Sequence, residues 1–140
     1  MINKKKNKPK FRSLCPIAST LDLVGDKWSL LIVRDLLHGK ATYGELANSP
    51  ERIPTNILAD RLKRMADAGL IVSCAYQERP VRYVYNLSAK GEALGEVLLA
   101  LVHWGKSHIR GTKTYADSAA ISKKETTRRA TSRKNKIGQR

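Results

Sequence analysis

Apolar positions first fall into a helical rhythm at Ile17, Leu21 and Val24. Pro16 suits a first helical position, which leaves Cys15 at the N-cap, and Gly25 marks the stop. Asp26, a good capping residue, opens a second helix predicted from Lys27 to His38, with Gly39 beyond it. Trp28, Leu30, Leu31, Ile32, Val33, Leu36 and Leu37 leave that helix almost no polar face. It therefore needs more than one apolar neighbour, and a second subunit is one candidate. Thr42 and Glu45 stand at capping-box spacing and open a short helix to about Ala47. After a loop at 48–52, a longer helix is predicted from Pro54 or Thr55 to Ala68. Leu58, Leu62 and Met65 form its inner stripe, and Gly69 stops it. The period then changes to two. Leu70–Tyr76 and Val81–Leu87 read as strands around a tip at 77–80, with Val81, Tyr83, Tyr85 and Leu87 alternating against Arg82, Val84 and Asn86. Ser88 caps a last predicted helix from Ala89 to about Ile109, striped by Leu94, Val97, Leu98, Leu101, Val102 and Trp104.

This order predicts a mainly α fold with a two-stranded β-hairpin wing, the layout of a winged helix-turn-helix. A B-DNA major groove about 12 Å wide admits one α-helix, the shorter helix braces the longer one, and the hairpin reaches flanking backbone or minor groove. At 100° per residue, the side of the long helix opposite Leu58 carries Asn56, Ala59, Asp60, Lys63 and Asp67, flanked by Thr55 and Arg64. Its N-terminal half would enter a groove, so Thr55, Asn56, Ala59, Asp60 and Lys63 are the base-facing candidates. Asn56 has the donor–acceptor pair for adenine, and Lys63 and Arg64 suit phosphate or guanine. Asp60 can accept from cytosine but repels phosphate, and a plain solvated face would have a similar composition. Arg79 and Arg82 bracket the hairpin tip, where guanidiniums suit phosphates or the minor groove, or simply protect a strand edge.

Charge strengthens the nucleic-acid reading. The 140 residues carry 27 Lys+Arg against 12 Asp+Glu, a formal charge of +15. Residues 1–13 hold +6, residues 110–140 hold +8, and the body between them only +1. Both basic arms lack periodicity and are expected to be disordered around a folded domain at 14–109. Such arms suit a polyanion, so an alternative is an architectural nucleic-acid-binding protein whose arms dominate binding. No apolar run is long enough for a membrane span, and no apolar stretch follows the first lysines as in a secretory signal. No membrane partner is expected, and the cytoplasm, at the nucleoid, is the expected location. Cys15 and Cys74 show no metal-type spacing. His38, His103 and His108 lack a nucleophilic partner pattern, and there is no Gly-rich phosphate loop, so neither enzyme, metal nor cofactor is expected. At a helix N-cap beside six cations, Cys15 is a candidate sensing thiol, whereas Cys74 reads as inert strand packing.

Several linked motifs carry a family resemblance. They are Cys15-Pro16, Thr20–Trp28, Leu30–Leu36, Tyr43–Leu46, Ile53–Leu62, Asp67–Ile71, Tyr83–Gly91 and Trp104-Gly105. In this order they resemble the HxlR family of bacterial winged-helix regulators over residues 13–108. The resemblance implies a homodimer on double-stranded DNA at an inverted-repeat operator, regulating transcription; repression is the expected output. It implies dimerisation through the first and last helices, with Ile17, Leu21, Leu98, Leu101, Val102 and Trp104 as candidate contacts. Some members of that family sense electrophiles, aldehydes or oxidants through the cysteine corresponding to Cys15, which makes Cys15 a candidate sensor, the inducer being unspecified. The long basic arms depart from the family's compact pattern.

Overall fold

The computed structural model describes residues 10–114. Helix α1 spans Pro16–Val24, α2 Ser29–Leu37, α3 Tyr43–Ala47 and α4 Thr55–Asp67; strands β1 (Ile71–Glu78) and β2 (Val81–Leu87) follow, then α5 (Ala89–Glu92) and α6 (Gly95–His108). Two compact units divide this chain, one up to Leu98 and one from Leu99.

In the first unit the helix ends obey the sequence signals. Cys15 is the N-cap of α1, with Pro16 at the first turn. The Asp26 carboxylate accepts from the amides of Trp28 (3.0 Å) and Ser29 (3.1 Å) and from the Ser29 hydroxyl. Asp26 thus caps α2 although regular helix begins only at Ser29. The capping box at α3 is complete: Glu45 N donates to Thr42 Oγ1, and Thr42 N to Glu45 Oε2. Helix α4 closes at Ala68 and Gly69. Gly69 N donates to Ala66 O and Leu70 N to Met65 O, a Schellman pattern. It needs a left-handed residue, and Gly69 supplies φ +73° without a Cβ penalty.

Leu58, Leu62 and Met65 of α4 meet Ile32 and Val33 of α2, Leu46 of α3 and Leu70 and Ile71 in one buried core. Helix α2 packs against α3, α5 and β2. The neighbours its apolar faces require therefore lie in its own chain; Leu37 stays exposed.

The two strands pair antiparallel from Ile71↔Leu87 to Glu78↔Val81, with a bulge between Ala75 and Gln77. Strand β1 runs two residues past its expected end, so the tip shrinks to Arg79-Pro80, and Arg82 lies opposite Gln77 within the ladder. Thr42 adds an isolated bridge to Val84. Only the hairpin base meets the core. Tyr85 and Leu87 pack against it, whereas Val81 and Tyr83 are exposed. Cys74, expected as packing, is exposed: it shares with Val72 the face of β1 opposite Ile71, and it is Ile71, with Tyr85 and Leu87 of β2, that meets the core.

The predicted single helix from Ala89 is two. Ser88 bonds Gly69 O through its hydroxyl (2.6 Å) and Leu70 O through its amide (3.0 Å), and Lys90 Nζ reaches Ala68 O. These bonds pin α5 against the turn that ends α4. Gly91 permits the approach, since a Cβ there would sit 2.0 Å from Leu70 O. The chain then passes through i→i−3 bonds, Leu94 N to Gly91 O and Glu96 N to Ala93 O, before α6 starts at Gly95. Leu94 and Leu98, four residues apart, both pack on the core. Leu98, a candidate subunit contact, is therefore partly buried against its own chain's core.

In the second unit α6 continues to His108, and no α6 residue is buried. Leu99, Leu101, Val102 and Trp104 are exposed. Thr112 Oγ1 donates to Ile109 O just beyond the helix end. The expected arms fall largely outside the described residues. Arg12, inside them, donates from its backbone amide and Nε to the Asp22 carboxylate on α1. No helix among the described residues is long and apolar enough to cross a membrane.

Candidate nucleic-acid interface

Helix α4 is held by contacts at both ends and along one side. Tyr43 of α3 donates from its phenol to Thr55 O (2.7 Å), seating the first turn of α4. Arg34 of α2 clamps the turn before it, donating to both Glu51 carboxylate oxygens (2.7 and 2.8 Å) and to Ser49 Oγ (3.2 Å). In that turn Arg52 has φ 54°, a left-handed conformation costing a non-glycine residue of the order of 1 kcal/mol. From the side of α4, Arg61 Nε donates to Asp26 Oδ2 (2.9 Å), joining the helix to the start of α2.

With its inner stripe buried, α4 turns Thr55, Asn56, Ala59, Asp60, Lys63 and Arg64 to solvent. Every sequence-predicted reading residue of this helix is thus on one exposed face. Asp60 is not a bare charge there. Its Oδ2 accepts from Arg61 Nη1 and lies 3.2 Å from Arg64 Nε, so two guanidiniums offset its repulsion of phosphate. Arg79 stands exposed at the hairpin tip and Arg82 exposed on β2.

Sequence reasoning missed the fixing residues. Arg61 was not distinguishable from any exposed helix arginine, because its partner Asp26 is 35 residues away. Burial works to raise the Asp26 carboxyl, but bonds from Ser29, Trp28 and Arg61 outweigh it and hold Asp26 below its usual range. The Arg34 hydrogen bonds, working against partial burial, take Glu51 from 4.5 to about 2. A carboxylate lowered on folding stabilises the fold above its unfolded pKa and loses that contribution as pH falls through the folded one. Melting temperature compared between the wild type and Glu51→Gln should therefore differ most above pH 4.5 and converge as pH approaches 2. A difference that widened on acidification would contradict the clamp.

Cys15 is exposed at the start of α1, where its amide donates to Ser13 Oγ (3.2 Å); its side chain caps nothing. On α1, Ile17 and Leu21 are 73% and 54% exposed, and Leu14 just before the helix is fully exposed. On α6, Leu101, Val102 and Trp104 are exposed. Among the described residues, no three His, Cys, Asp or Glu side chains are grouped to hold a metal ion.

A model of the HxlR-like helix-turn-helix family matches residues 23–113. An uncharacterized HTH-type transcriptional regulator of Synechocystis sp. is 35% identical over 88 residues, 63% of this chain and 65% of its own length. The chain spans 58% of the length of similar mycobacterial relatives. Among solved structures, the reduced transcriptional regulator YodB of B. subtilis is 27% identical with a TM-score of 0.58, covering 72% of this chain and all of its own. The redox regulator HypR in its oxidized form is 27% identical with a TM-score of 0.59, over 67% of this chain and 97% of its own.

Proposed function

Starting from a chain that belongs to the HxlR-like helix-turn-helix family, we propose that it is a sequence-specific DNA-binding transcriptional repressor, acting as a homodimer on an inverted-repeat operator. The observation that carries this reading is the exposed N-terminal face of α4, Thr55, Asn56, Ala59 and Lys63, on a helix anchored through Tyr43, Arg61 and the Arg34 clamp. A base-reading helix must be exposed on one side and held on the other, and the exposed face of α4 with these anchoring contacts supports that reading.

Pairing of two copies is supported by two apolar faces, each taken by itself. Helix α1 offers Ile17 and Leu21, with Leu14 beside them, and α6 offers Leu101, Val102 and Trp104. Apolar surface of this kind on a small domain marks an interaction face. Leu98 is left out, since it packs inward. A two-fold pair would present its α4 helices to successive major grooves about 34 Å apart.

Cys15 is the candidate signal sensor. It is exposed at the start of α1, on the segment that carries the apolar face, and a structural relative is named a redox regulator. A thiol adduct there would lie beside the subunit contact and alter the spacing of the two reading heads. Footprinting on the DNA beside the protein's own gene, with and without N-ethylmaleimide, tests the whole reading. A protected palindrome that is lost with the reagent is the expected result. In Cys15→Ser the same protection should persist with the reagent present. Loss of protection in that variant would remove Cys15 from the mechanism, and the absence of any protected palindrome would remove the operator.

A further inference from the structure

Among the described residues of the first unit, a pair of surface clefts of similar size differ in chemistry. One, of about 460 Å³, lies between α1 and α4 and is lined by Asp22, Asp26 and Asp67 as well as Arg61 and Arg64. Its carboxylates disfavour a polyanion, and its arginines are committed to Asp26 and Asp60. The other, of about 490 Å³, lies between the start of α3 and the wing. Thr42, Tyr43, Tyr76, Arg82, Tyr83 and Tyr85 line it, and no carboxylate does.

We propose that this second cleft seats the phosphodiester backbone of bound DNA, with the phenols of Tyr76, Tyr83 and Tyr85 as neutral hydrogen-bond donors beside the Arg82 guanidinium. The proposal rests on the DNA-binding reading and extends it from Arg82, which charge had already singled out, to three neutral phenols, which it had not.

Four observations converge on it. First, those three phenols have no hydrogen-bond partner among the described residues, and Arg82 has no ion pair among them. Donors left unused in the fold are available to an acceptor-rich ligand, and phosphate oxygens take most such contacts in DNA complexes. Second, Tyr76 is the extra residue of the β-bulge. A regular strand would turn the residue after Ala75 away from the side of Tyr83, the partner of Ala75; at the bulge, Tyr76 instead lines the same cleft as Tyr83 and Tyr85. Third, Tyr43 is shared between this cleft and the seat of α4, through its bond to Thr55 O. The cleft therefore flanks the end of α4 that carries Thr55 and Asn56, where a backbone strand must pass if that end enters a groove. Fourth, burial, with Tyr83 and Tyr43 nearby, holds the Tyr85 phenol above its ordinary value, so it remains a protonated donor.

Neutral and charged contacts to phosphate leave different signatures. A guanidinium displaces a condensed counterion, and a phenol does not. The test measures the affinity of the full chain for its operator and for random duplex across a salt series. Its variants are Y76F/Y83F/Y85F together and R82Q alone. The triple variant should bind both duplexes about tenfold or more weakly, with an unchanged salt slope. R82Q should weaken both and lower the slope by about one. Melting temperature of the triple variant should match the wild type, since those hydroxyls have no partner in the fold. Wild-type affinity in the triple variant would overturn the proposal while leaving DNA binding intact. So would a loss confined to the operator, which would mean base reading instead. Failure of the unmodified chain to bind either duplex would overturn the DNA reading itself and the proposal with it.

Discussion

Replacing Arg34 with alanine is expected to cost the fold about 3–5 kcal/mol, the usual consequence of stripping one partner from a buried ion pair, and to lower Tm by roughly 12 °C or more. The cause is Asp35. Its side chain is completely buried, with Oδ1 3.0 Å from Arg34 Nε. Lys40 Nζ lies 3.5 Å from Oδ2, near enough to offset charge, yet Oδ2 has no hydrogen-bond partner. Lys40 alone would thus leave a desolvated carboxylate without a donor. The same substitution releases Glu51 and Ser49, and with them the turn that leads into α4. Adding Asp35→Asn to Arg34→Ala should restore part of the loss, because a neutral amide tolerates burial better than an unpaired carboxylate. Arg34→Ala melting within two or three degrees of the wild type, about half a kcal/mol on this scale, would mean the pair contributes little.

Substitution of Asn56 and Lys63 by alanine is expected to leave stability untouched and change what the protein recognises. Both are exposed on α4, and neither side chain has a partner among the described residues. A bidentate base contact is worth about 1–3 kcal/mol of discrimination, so each one lost should cut the operator's advantage over random duplex by about 5- to 150-fold. The single variants separate the roles. If Lys63 meets phosphate, its loss weakens both duplexes equally and lowers the salt slope by about one. If Asn56 reads a base, its loss falls on the operator alone. An operator preference that survived the double substitution would take α4 out of sequence reading.

The local signals in the chain were reliable because their chemistry is local. Thr42 and Glu45 form their capping box three residues apart, and Gly69 ends α4 because the next backbone bonds require a left-handed residue. Leu58, Leu62 and Met65 went inward on helical period alone. What escaped depends on partners distant in sequence. The break between α5 and α6 comes from Ser88, Lys90 and Gly91 docking on the end of α4, some twenty residues earlier. Leu98 shares a helix face with Leu101 and Val102, but only Leu98 packs on the core beside Leu94, which the stripe alone does not distinguish. Cys74 looked like packing because alternation alone does not tell which face of the strand turns to the core. Within the candidate interface, the exposed face of α4 was legible from its period. The offsetting of Asp60 by Arg61 and Arg64, the anchoring of Arg61 on Asp26, and the bulge at Tyr76 were not. The Lys- and Arg-rich ends drew attention through charge, yet the features that point to sequence reading lie in the nearly neutral body.

The most direct measurement is the ratio of operator to random-duplex affinity, at one fixed salt concentration, for a chain shortened to residues 10–114. This keeps Arg12 on Asp22 and removes most of the basic arms. The expected result is weaker binding overall with a specificity ratio still of about 10³ or more, within the range of sequence-specific binders. A ratio that fell to about one, characteristic of purely electrostatic binding, would contradict α4 as the reading element and make the arms the nucleic-acid-binding part.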